Sequence, residues 1–279
     1  MKSSFMNTPL FSILIAQYNN GKYFEDCYKS IMAQSYTNWE AIIVDDCSTD
    51  DSLEQMKKLI GDDARFKIFS NDENKGCGFT KKKCIDNADG NICGFLDPDD
   101  KLTADAIEVM MIAHHKHPAM SLIYSNNFVC DKNLMVVKEK VSRIQQPKNI
   151  SVIEMTCPFA FATFKKEKYL RSVQLNPEFK RAIDVDLYCC LDDVGDLLFI
   201  DKSLYYYRIH DEGISRGENR KKAEFWTWIV KQTHAKRKDM NIEGQFVKWC
   251  TALEYDLSRF SNLTLFKTVV SRVIFGIKK

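Results

Sequence analysis

The sequence predicts an α/β fold in which a mostly parallel sheet is flanked by helices and followed by a C-terminal helical extension. Short apolar runs rich in strand-forming residues alternate with segments whose apolar residues recur at helical spacing, and this alternation is typical of parallel sheets. With 279 residues, 45% hydrophobic and 12% aromatic, the chain can fill the core of one large domain. Its net charge of +2 gives no general attraction to nucleic acid, so we expect no nucleic-acid partner.

The first half of the chain alternates regularly between strands and helices. Each apolar run ends in a polar loop and is followed by an amphipathic segment. One further helix is expected to begin near Ser48 or Asp50, because both residue types are good N-caps. The predicted strands are residues 11–16, 41–44, 66–69 and 92–96, and the predicted helices are residues 23–34, 79–88 and 103–117.

The second half is less regular. We expect strands at residues 121–130, 134–137 and 159–164, a loop at 145–152, a helix beginning at 165–168, a helix over 183–194, and two or three helices after the aromatic run at 205–210. The predicted organisation is therefore a main domain over residues 8–215 and a helical extension over residues 216–279.

Cysteine usage and hydropathy indicate a cytoplasmic protein. Ten cysteines are scattered without the paired spacing of zinc sites, and we expect free buried thiols in a reducing compartment. The N-terminal residues lack a signal-peptide pattern, and no run reaches the roughly 18 apolar residues that span a bilayer. Residues 263–279 interleave apolar and basic residues. Three roles stay open for this segment: peripheral contact with the inner face of a membrane, packing on the core, or oligomerisation.

The acidic turn Asp97-Pro98-Asp99-Asp100 carries the strongest chemical signal. It follows the predicted strand at residues 92–96. Carboxylates one residue apart at a strand end can hold a hard divalent cation, which usually also binds substrate phosphates. Pro98 restricts the backbone between them, so the turn should be rigid. The alternative is a polar turn that caps the following helix.

A second acidic pair, Asp45 and Asp46, follows the strand at residues 41–44. We expect it at the same sheet edge as the first, since ligands of open parallel sheets bind beyond the carboxyl ends of the strands. A carboxylate there can accept a hydrogen bond from an imide or a ribose hydroxyl, and Tyr18 can stack on a base. Each of these residues alone is more often part of a turn or a helix cap, but their convergence indicates a nucleotide site.

Three histidines, His114, His115 and His117, lie near the end of the predicted helix at residues 103–117. This position favours a stabilising positive charge at the helix C-terminus over a metal site.

Four segments, in order, resemble the inverting glycosyltransferases of family 2, which have the GT-A fold. They are residues 12–19, 42–50, 74–76 continuing to 88–100, and 183–187 followed by 204–210, and together they cover roughly residues 10–215. The resemblance implies a GT-A fold for the main domain and transfer of a sugar from a nucleotide sugar. It also implies a UDP-sugar donor and a glycan or lipid-linked saccharide acceptor in surface polysaccharide biosynthesis.

The resemblance assigns the donor nucleotide to the ends of the first two strands. Tyr18 and Asp46 would hold the base, and Ala16 and Gln17 would supply backbone contacts, with Asp45 in the same turn.

The resemblance also implies a metal site. Asp97 and Asp99 would form the metal-binding DxD with Asp100 beside them, the ion being Mn²⁺ or Mg²⁺. His210 would complete the metal or diphosphate site. Lys81 stands where many relatives have an arginine facing the donor, and it keeps the positive charge but loses the bidentate fork.

The base that activates the acceptor is implied to be Asp184. The family usually presents Glu-Asp here, and this sequence has Ile183 in place of the glutamate. Asp186 is the alternative base. Two other functions stay open: a metal-dependent nucleotidyltransferase, which would need a glycine-rich basic loop in place of residues 17–21, and an inactive carbohydrate-binding protein of the same fold.

Overall fold

Nine strands form one sheet in the computed structural model, which describes residues 8–140, 150–154, 160–211, 213 and 219–252. The strands are β1 (Phe11–Gln17), β2 (Trp39–Asp45), β3 (Phe66–Ser70), β4 (Ile92–Phe95), β5 (Lys101–Leu102), β6 (Leu122–Cys130), β7 (Val136–Lys140), β8 (Ala160–Lys165) and β9 (Leu197–Arg208). Their order across the sheet is β3-β2-β1-β4-β8-β6-β9-β5, and β7 pairs with β6.

Helices lie against both faces of this sheet. They are α1 (Gly21–Met32), α2 (Ser52–Ile60), α3 (Cys77–Asp86), α4 (Ala106–Lys116), α5 (Lys166–Arg171), α6 (Ile183–Asp192), α7 (Asn219–Arg237) and α8 (Glu243–Ala252), with one turn of 3-10 helix at Val152–Glu154. Side chains of β1 alternate between the two faces, as the strand period requires. Leu14 packs in a core cluster with Cys84 of α3, whereas Ile13 packs in a second cluster with Phe24 of α1.

The strands β3, β2, β1 and β4 pair in parallel, which confirms the predicted α/β architecture. In this register Gln17 lies opposite Asp45, and Leu14 lies opposite Phe95. The carboxyl ends of the strands therefore reach the same edge of the sheet, where the loops that follow them meet.

The other part of the sheet contains pairings that were not predicted. β8 runs antiparallel between β4 and β6, and β9 runs parallel to β6. The two-residue strand β5 directly follows the acidic turn and pairs with β9, so that Lys101 lies opposite Tyr206. This pairing places the end of β9 against the turn at residues 97–100.

The helix α7 packs in the same core as the sheet. Trp228, Ile229 and Val230 are buried in the cluster that contains Leu14. The predicted boundary between the main domain and the helical extension, at residues 215 and 216, stays a prediction. Residues 263–279 and the first part of the predicted loop, residues 145–149, lie outside the described residues.

In the part of the chain that the structure covers, no helix has both the length and the apolar character required to cross a membrane. The cysteines whose surroundings are described are free, as the sequence predicted, and six of them are buried: Cys27, Cys84, Cys93, Cys130, Cys189 and Cys190.

The interpretation of His114 as a charged group at a helix end is wrong. His114 is 4% exposed on α4, and its Nε2 is hydrogen bonded to Thr163 Oγ1 at 3.0 Å. Burial lowers the pKa of His114 to about 3, with a further contribution from the positive charge of Lys165. The side chain is therefore a neutral core residue.

Candidate active site

The loops after β1, β2 and β4 meet at the predicted edge of the sheet. The Asp46 amide donates to the Gln17 carbonyl at 2.8 Å, which holds the first two loops together. Ala16 is half-buried, and Tyr18 is 42% exposed. Gln17 is fully buried, yet neither atom of its side-chain amide has a hydrogen-bond partner among the described residues. A buried amide without a partner is a polar group that a ligand or a water molecule can satisfy.

In chain order, the first acidic turn contains Asp45 and Asp46, and the second acidic turn is residues 97–100. The carboxylates of the first acidic turn are engaged by the protein itself. Asp45 accepts from the Ser48 amide at 3.0 Å and from the Ser48 hydroxyl at 2.5 Å. Asp46 accepts from the backbone amides of Lys75 and Gly76, each at 2.8 Å, and from Asn71 Nδ2 at 2.8 Å. Asp46 therefore holds the loop between β3 and α3 in place.

The second acidic turn has one fully engaged carboxylate, that of Asp100. Asp100 is 1% exposed and accepts from the Tyr205 hydroxyl at 2.7 Å and from the Arg208 amide at 2.7 Å. Burial raises its pKa well above the usual range, and the nearby charges of Asp99 and Asp97 raise it further. The side chain of Asp100 is thus directed into the protein, toward β9.

Arg208, at the end of β9, ties this turn to the body of the protein. Its Nε donates to the Asp99 carbonyl at 2.6 Å, and one terminal nitrogen pairs with Asp26 of α1 at 2.7 Å. The guanidinium also lies over the ring of Tyr23 at 4.8 Å, and only 4% of the side chain is exposed. These contacts fix the backbone of the turn on its protein-facing side, so that Asp97 and Asp99 are held rigidly.

The remaining carboxylates of the second turn are partly exposed at the sheet edge where the loops after β1, β2 and β4 meet, which is called the cleft below. The side chain of Asp97 is 46% exposed and that of Asp99 is 20% exposed. Asp99 Oδ2 lies 2.8 Å from His210 Nε2, and the His210 ring packs on Tyr23 with ring centroids 4.6 Å apart. Burial raises the pKa of Asp99, and the negative charge of Asp97 raises it further. Two carboxylates that repel each other at a rigid turn form a site that a cation would stabilise.

Lys81 supplies a positive charge beside the turn. It projects from α3 with 14% of its side chain exposed, and its Nζ lies 3.2 Å from Asp97 Oδ1. Burial disfavours the charged amine, but the negative charges of Asp97 and Asp184 outweigh this effect and raise the pKa of Lys81. The ammonium group is therefore charged at neutral pH and close to both carboxylates.

The two candidate bases lie on opposite sides of the first turn of α6. Asp184 is exposed, and its charge acts together with that of Asp97 on Lys81 and on Tyr188. Asp184 therefore lies within electrostatic range of Lys81, as Asp97 does. Asp186 is 1% exposed and accepts from the Asn176 amide at 2.8 Å, with His234 Nε2 2.6 Å from its other oxygen.

Residues 12–170 match the sequence model of glycosyl transferase family 2. The chain belongs to this family. Within it, the chain is similar to the chondroitin synthase of Escherichia coli, with 29% identity over 207 residues, which are 74% of this chain. This chain spans only 30% of the length of that relative.

Two further relatives are informative. The family 2 chain is 29% identical over 176 residues to the Escherichia coli UDP-Glc:alpha-D-GlcNAc-diphosphoundecaprenol beta-1,3-glucosyltransferase WfgD, covering 59% of this chain and 68% of that one. Among solved structures it is similar to Staphylococcus aureus TarS 1-349 in complex with UDP-GlcNAc. The TM-score is 0.62 at 18% identity, with 79% of this chain and 65% of TarS covered. This likeness confirms the predicted GT-A fold.

The residues present in the family 2 chain fit a divalent cation. Asp97 and Asp99 offer carboxylate oxygens toward the cleft, and oxygen is the ligand that Mn²⁺ and Mg²⁺ prefer. The buried Nδ1 of His210 has no partner among the described residues, so this ring has hydrogen-bonding capacity left for a bound group. Asp100 has both oxygens occupied by Tyr205 and Arg208 and supports the turn instead.

The residues that support the second acidic turn from within the protein were not predicted from the sequence. Tyr205 and Arg208 lie in a recognised segment, but their contacts with the acidic turn depend on the unpredicted pairing of β9 with β5. A signal was available for Arg208, because an arginine at the end of an aromatic strand is expected to be buried and then needs an acidic partner. Asp26 and His234 carried no signal, since each resembles an ordinary polar residue of a helix.

Proposed function

We propose that the protein transfers a sugar, with inversion at the anomeric carbon, from a UDP-sugar to a hydroxyl of a glycan or lipid-linked saccharide in surface polysaccharide biosynthesis. One observation carries this proposal. The charged amine of Lys81 lies 3.2 Å from Asp97 of the acidic turn and also interacts electrostatically with the exposed carboxylate of Asp184. This arrangement offers a base on one side and a diphosphate site on the other.

The names of two similar proteins support the choice of substrates. WfgD is named as an enzyme that uses UDP-Glc and a diphosphoundecaprenol-linked sugar, and TarS has been solved with UDP-GlcNAc. The free cysteines of the described residues fit a reducing compartment, so we place the reaction in the cytoplasm.

The uridine is proposed to lie over the ends of β1 and β2. The ring of Tyr18 is exposed for stacking, and the backbones of Ala16 and Gln17 provide hydrogen-bonding groups beside it. Asp46 acts here mainly by holding the loop of Lys75 and Gly76, because that loop occupies both of its oxygens.

The diphosphate is proposed to lie between Lys81 and the second acidic turn. Asp97 and Asp99 would hold Mn²⁺ or Mg²⁺, which when bound supplies positive charge for the departing diphosphate. His210, whose Nε2 lies 2.8 Å from Asp99 Oδ2, would orient Asp99 and leave its Nδ1 for the metal or diphosphate site. Lys81 adds a second positive charge on the other side of Asp97. Arg208 and Tyr205 keep the turn in place while the negative charge on the leaving group increases.

Asp184 is proposed to accept the proton of the acceptor hydroxyl. As that proton transfers, the acceptor oxygen forms a bond to the anomeric carbon and the bond from this carbon to the diphosphate oxygen breaks, which inverts the configuration. Asp186 is unsuited to this role because it is buried and both its oxygens are engaged. The loop of residues 17–21 has a single glycine and no basic residue, which disfavours a nucleotidyltransferase.

A hydrolysis screen across nucleotide sugars, with Mn²⁺ present or chelated, tests the proposal. We expect slow release of UDP from one or a few UDP-sugars, dependent on the metal, and little release from other nucleotide sugars. Once an acceptor is found, Asp184→Asn should lower kcat by about 10² to 10⁴ while UDP binding is retained. The proposal fails if no UDP-sugar is bound or hydrolysed, or if Asp184→Asn transfers sugar at the wild-type rate.

A further inference from the structure

Three buried side chains, Asp186 and Cys190 of α6 and His234 of α7, cluster behind the first turn of α6. One ligand atom from each lies within 4.8 Å of the others, and all three side chains are buried. The donor types are those of a zinc site, so the first question is whether the cluster holds a metal.

The geometry favours a hydrogen bond. Asp186 Oδ1 and His234 Nε2 are 2.6 Å apart, whereas two ligands bound about 2.0 Å from a tetrahedral zinc ion lie about 3.3 Å from each other. The Cys190 thiol donates to the Gln174 carbonyl at 3.2 Å, so it is also engaged without a metal. His234 therefore donates through Nε2 to the Asp186 carboxylate in a dry environment, where such bonds are strong.

This bond joins three segments that meet at the start of α6. Asp186 Oδ2 accepts from the Asn176 amide, in the loop before the helix, while Oδ1 accepts from His234 of α7. The preceding residue of the helix start, Ala182, has φ of 56°, a left-handed conformation that costs about 1 kcal/mol or more for a residue other than glycine. The first turn of α6 thus needs outside contacts to keep its position.

The same turn carries the proposed base. Asp184 is two residues from Asp186 and is exposed, while the buried Asp186 contacts His234 of α7. The loop of Asn176 also lies against α3 one turn before Lys81, since a Cβ on Gly78 would approach the Asn176 carbonyl to 2.9 Å. A shift of Asp186 would therefore move Asp184 relative to the donor site.

We propose that His234 is a positioning residue: through its hydrogen bond to Asp186, helix α7 holds Asp184 in the orientation that transfer requires. This inference rests on the proposed function of Asp184 as the base. Further contacts tie α7 to the other end of α6, where Lys238 pairs with Asp193 at 2.8 Å and with Asp192 at 3.2 Å. The segment predicted as an extension is thus part of the catalytic unit.

Two amide variants of nearly equal chemistry test the proposal. Glutamine places its amide nitrogen where histidine has Nε2, whereas asparagine falls short of it. We expect His234→Gln to keep kcat within about threefold of wild type and His234→Asn to lower kcat by about 10- to 100-fold, as expected for a displaced catalytic group. The KM for the donor and the affinity for UDP with Mn²⁺ should stay within twofold in both. Thr233→Ala removes a hydroxyl whose one hydrogen bond among the described residues is to the Ile229 carbonyl of α7 itself; it is the matched control and should behave as wild type.

A double-variant comparison distinguishes positioning from general destabilisation. In an Asp184→Asn background, His234→Asn should cause no further loss of turnover, because the group that it positions is absent. Equal kcat values for His234→Gln and His234→Asn would overturn the proposal, as would stoichiometric zinc in the purified protein that is lost in His234→Asn. If instead the wild-type protein neither binds nor cleaves any nucleotide sugar, the proposed function itself has failed.

Discussion

The two acidic turns have similar sequences and different roles. Asp45 and Asp46 are almost fully buried, and Ser48 and the loop of Lys75 and Gly76 occupy their oxygens. In the second turn Asp97 and Asp99 remain open to the cleft. The comparison teaches that the number of carboxylate oxygens left free by the protein, rather than the number of aspartates, indicates where a metal and a diphosphate can bind.

The largest effect should come from the second turn. Asp99→Asn keeps the size of the side chain and removes the charge, so we expect kcat/KM for the donor to fall by about 10³ or more, as for the loss of a metal ligand. Thermal stability should stay the same or rise, because the negative charge of Asp97 no longer faces a second buried charge. Steady-state kinetics and a melting curve on the same preparation measure both quantities. A marked loss of stability would contradict this expectation and show that Asp99, like the carboxylates of the first turn, stabilises the fold.

The first turn should show the reverse pattern. Asp46→Ala leaves the amides of Lys75 and Gly76 and the side chain of Asn71 without their acceptor, so the free energy of unfolding should fall by about 2–4 kcal/mol. Asp97→Ala is the matched control, since its carboxylate is half-exposed and pairs only with Lys81 among the described residues. Urea unfolding should show a change below about 1 kcal/mol for that control. Equal losses of stability in both variants would remove the distinction between the turns.

The smallest expected effect is on how the free energy of unfolding changes at acidic pH. This change could otherwise be attributed to protonation of the carboxylates in the two acidic turns. The pKa of His114 is about 3 in the folded protein and about 6.5 in the unfolded chain. Below pH 6.5 the unfolded chain binds a proton that the folded protein does not, so stability falls as the pH falls from 6.5 toward 3. Between pH 7 and 5.5 this single group should cost about 1 kcal/mol.

His114→Gln removes that proton-binding group and should flatten the slope of stability against pH by this amount. Urea midpoints at the two pH values, for wild type and variant, measure the difference. Parallel slopes would assign the acid response to the carboxylates instead.

The position of the residues in the proposed donor site could largely be predicted from the sequence, because the patterns that mark them are local. The residues Tyr18, Asp45, Asp46 and Asp97 each follow an apolar strand directly, and parallel pairing brings strand ends together without further information. The confirmed GT-A fold rests on the same regular alternation of strands and helices.

The supporting contacts could not be predicted because they join residues far apart in the chain. Arg208 meets Asp26 across 182 residues, and His234 meets Asp186 across 48. The sequence of β9 shows no clear alternation of apolar and polar residues, since Asp201, Lys202 and Ser203 interrupt its apolar and aromatic residues. Without β9 in place, Asp100 looks like a third metal ligand rather than the residue that anchors the turn.

The central claim is that the turn of Asp97 and Asp99 binds the donor diphosphate through a divalent cation. Calorimetric titration of the unmodified protein with UDP, with Mn²⁺ present and then chelated, tests it most directly. We predict an affinity at least tenfold higher with Mn²⁺ present. Equal affinities under the two conditions would contradict the claim.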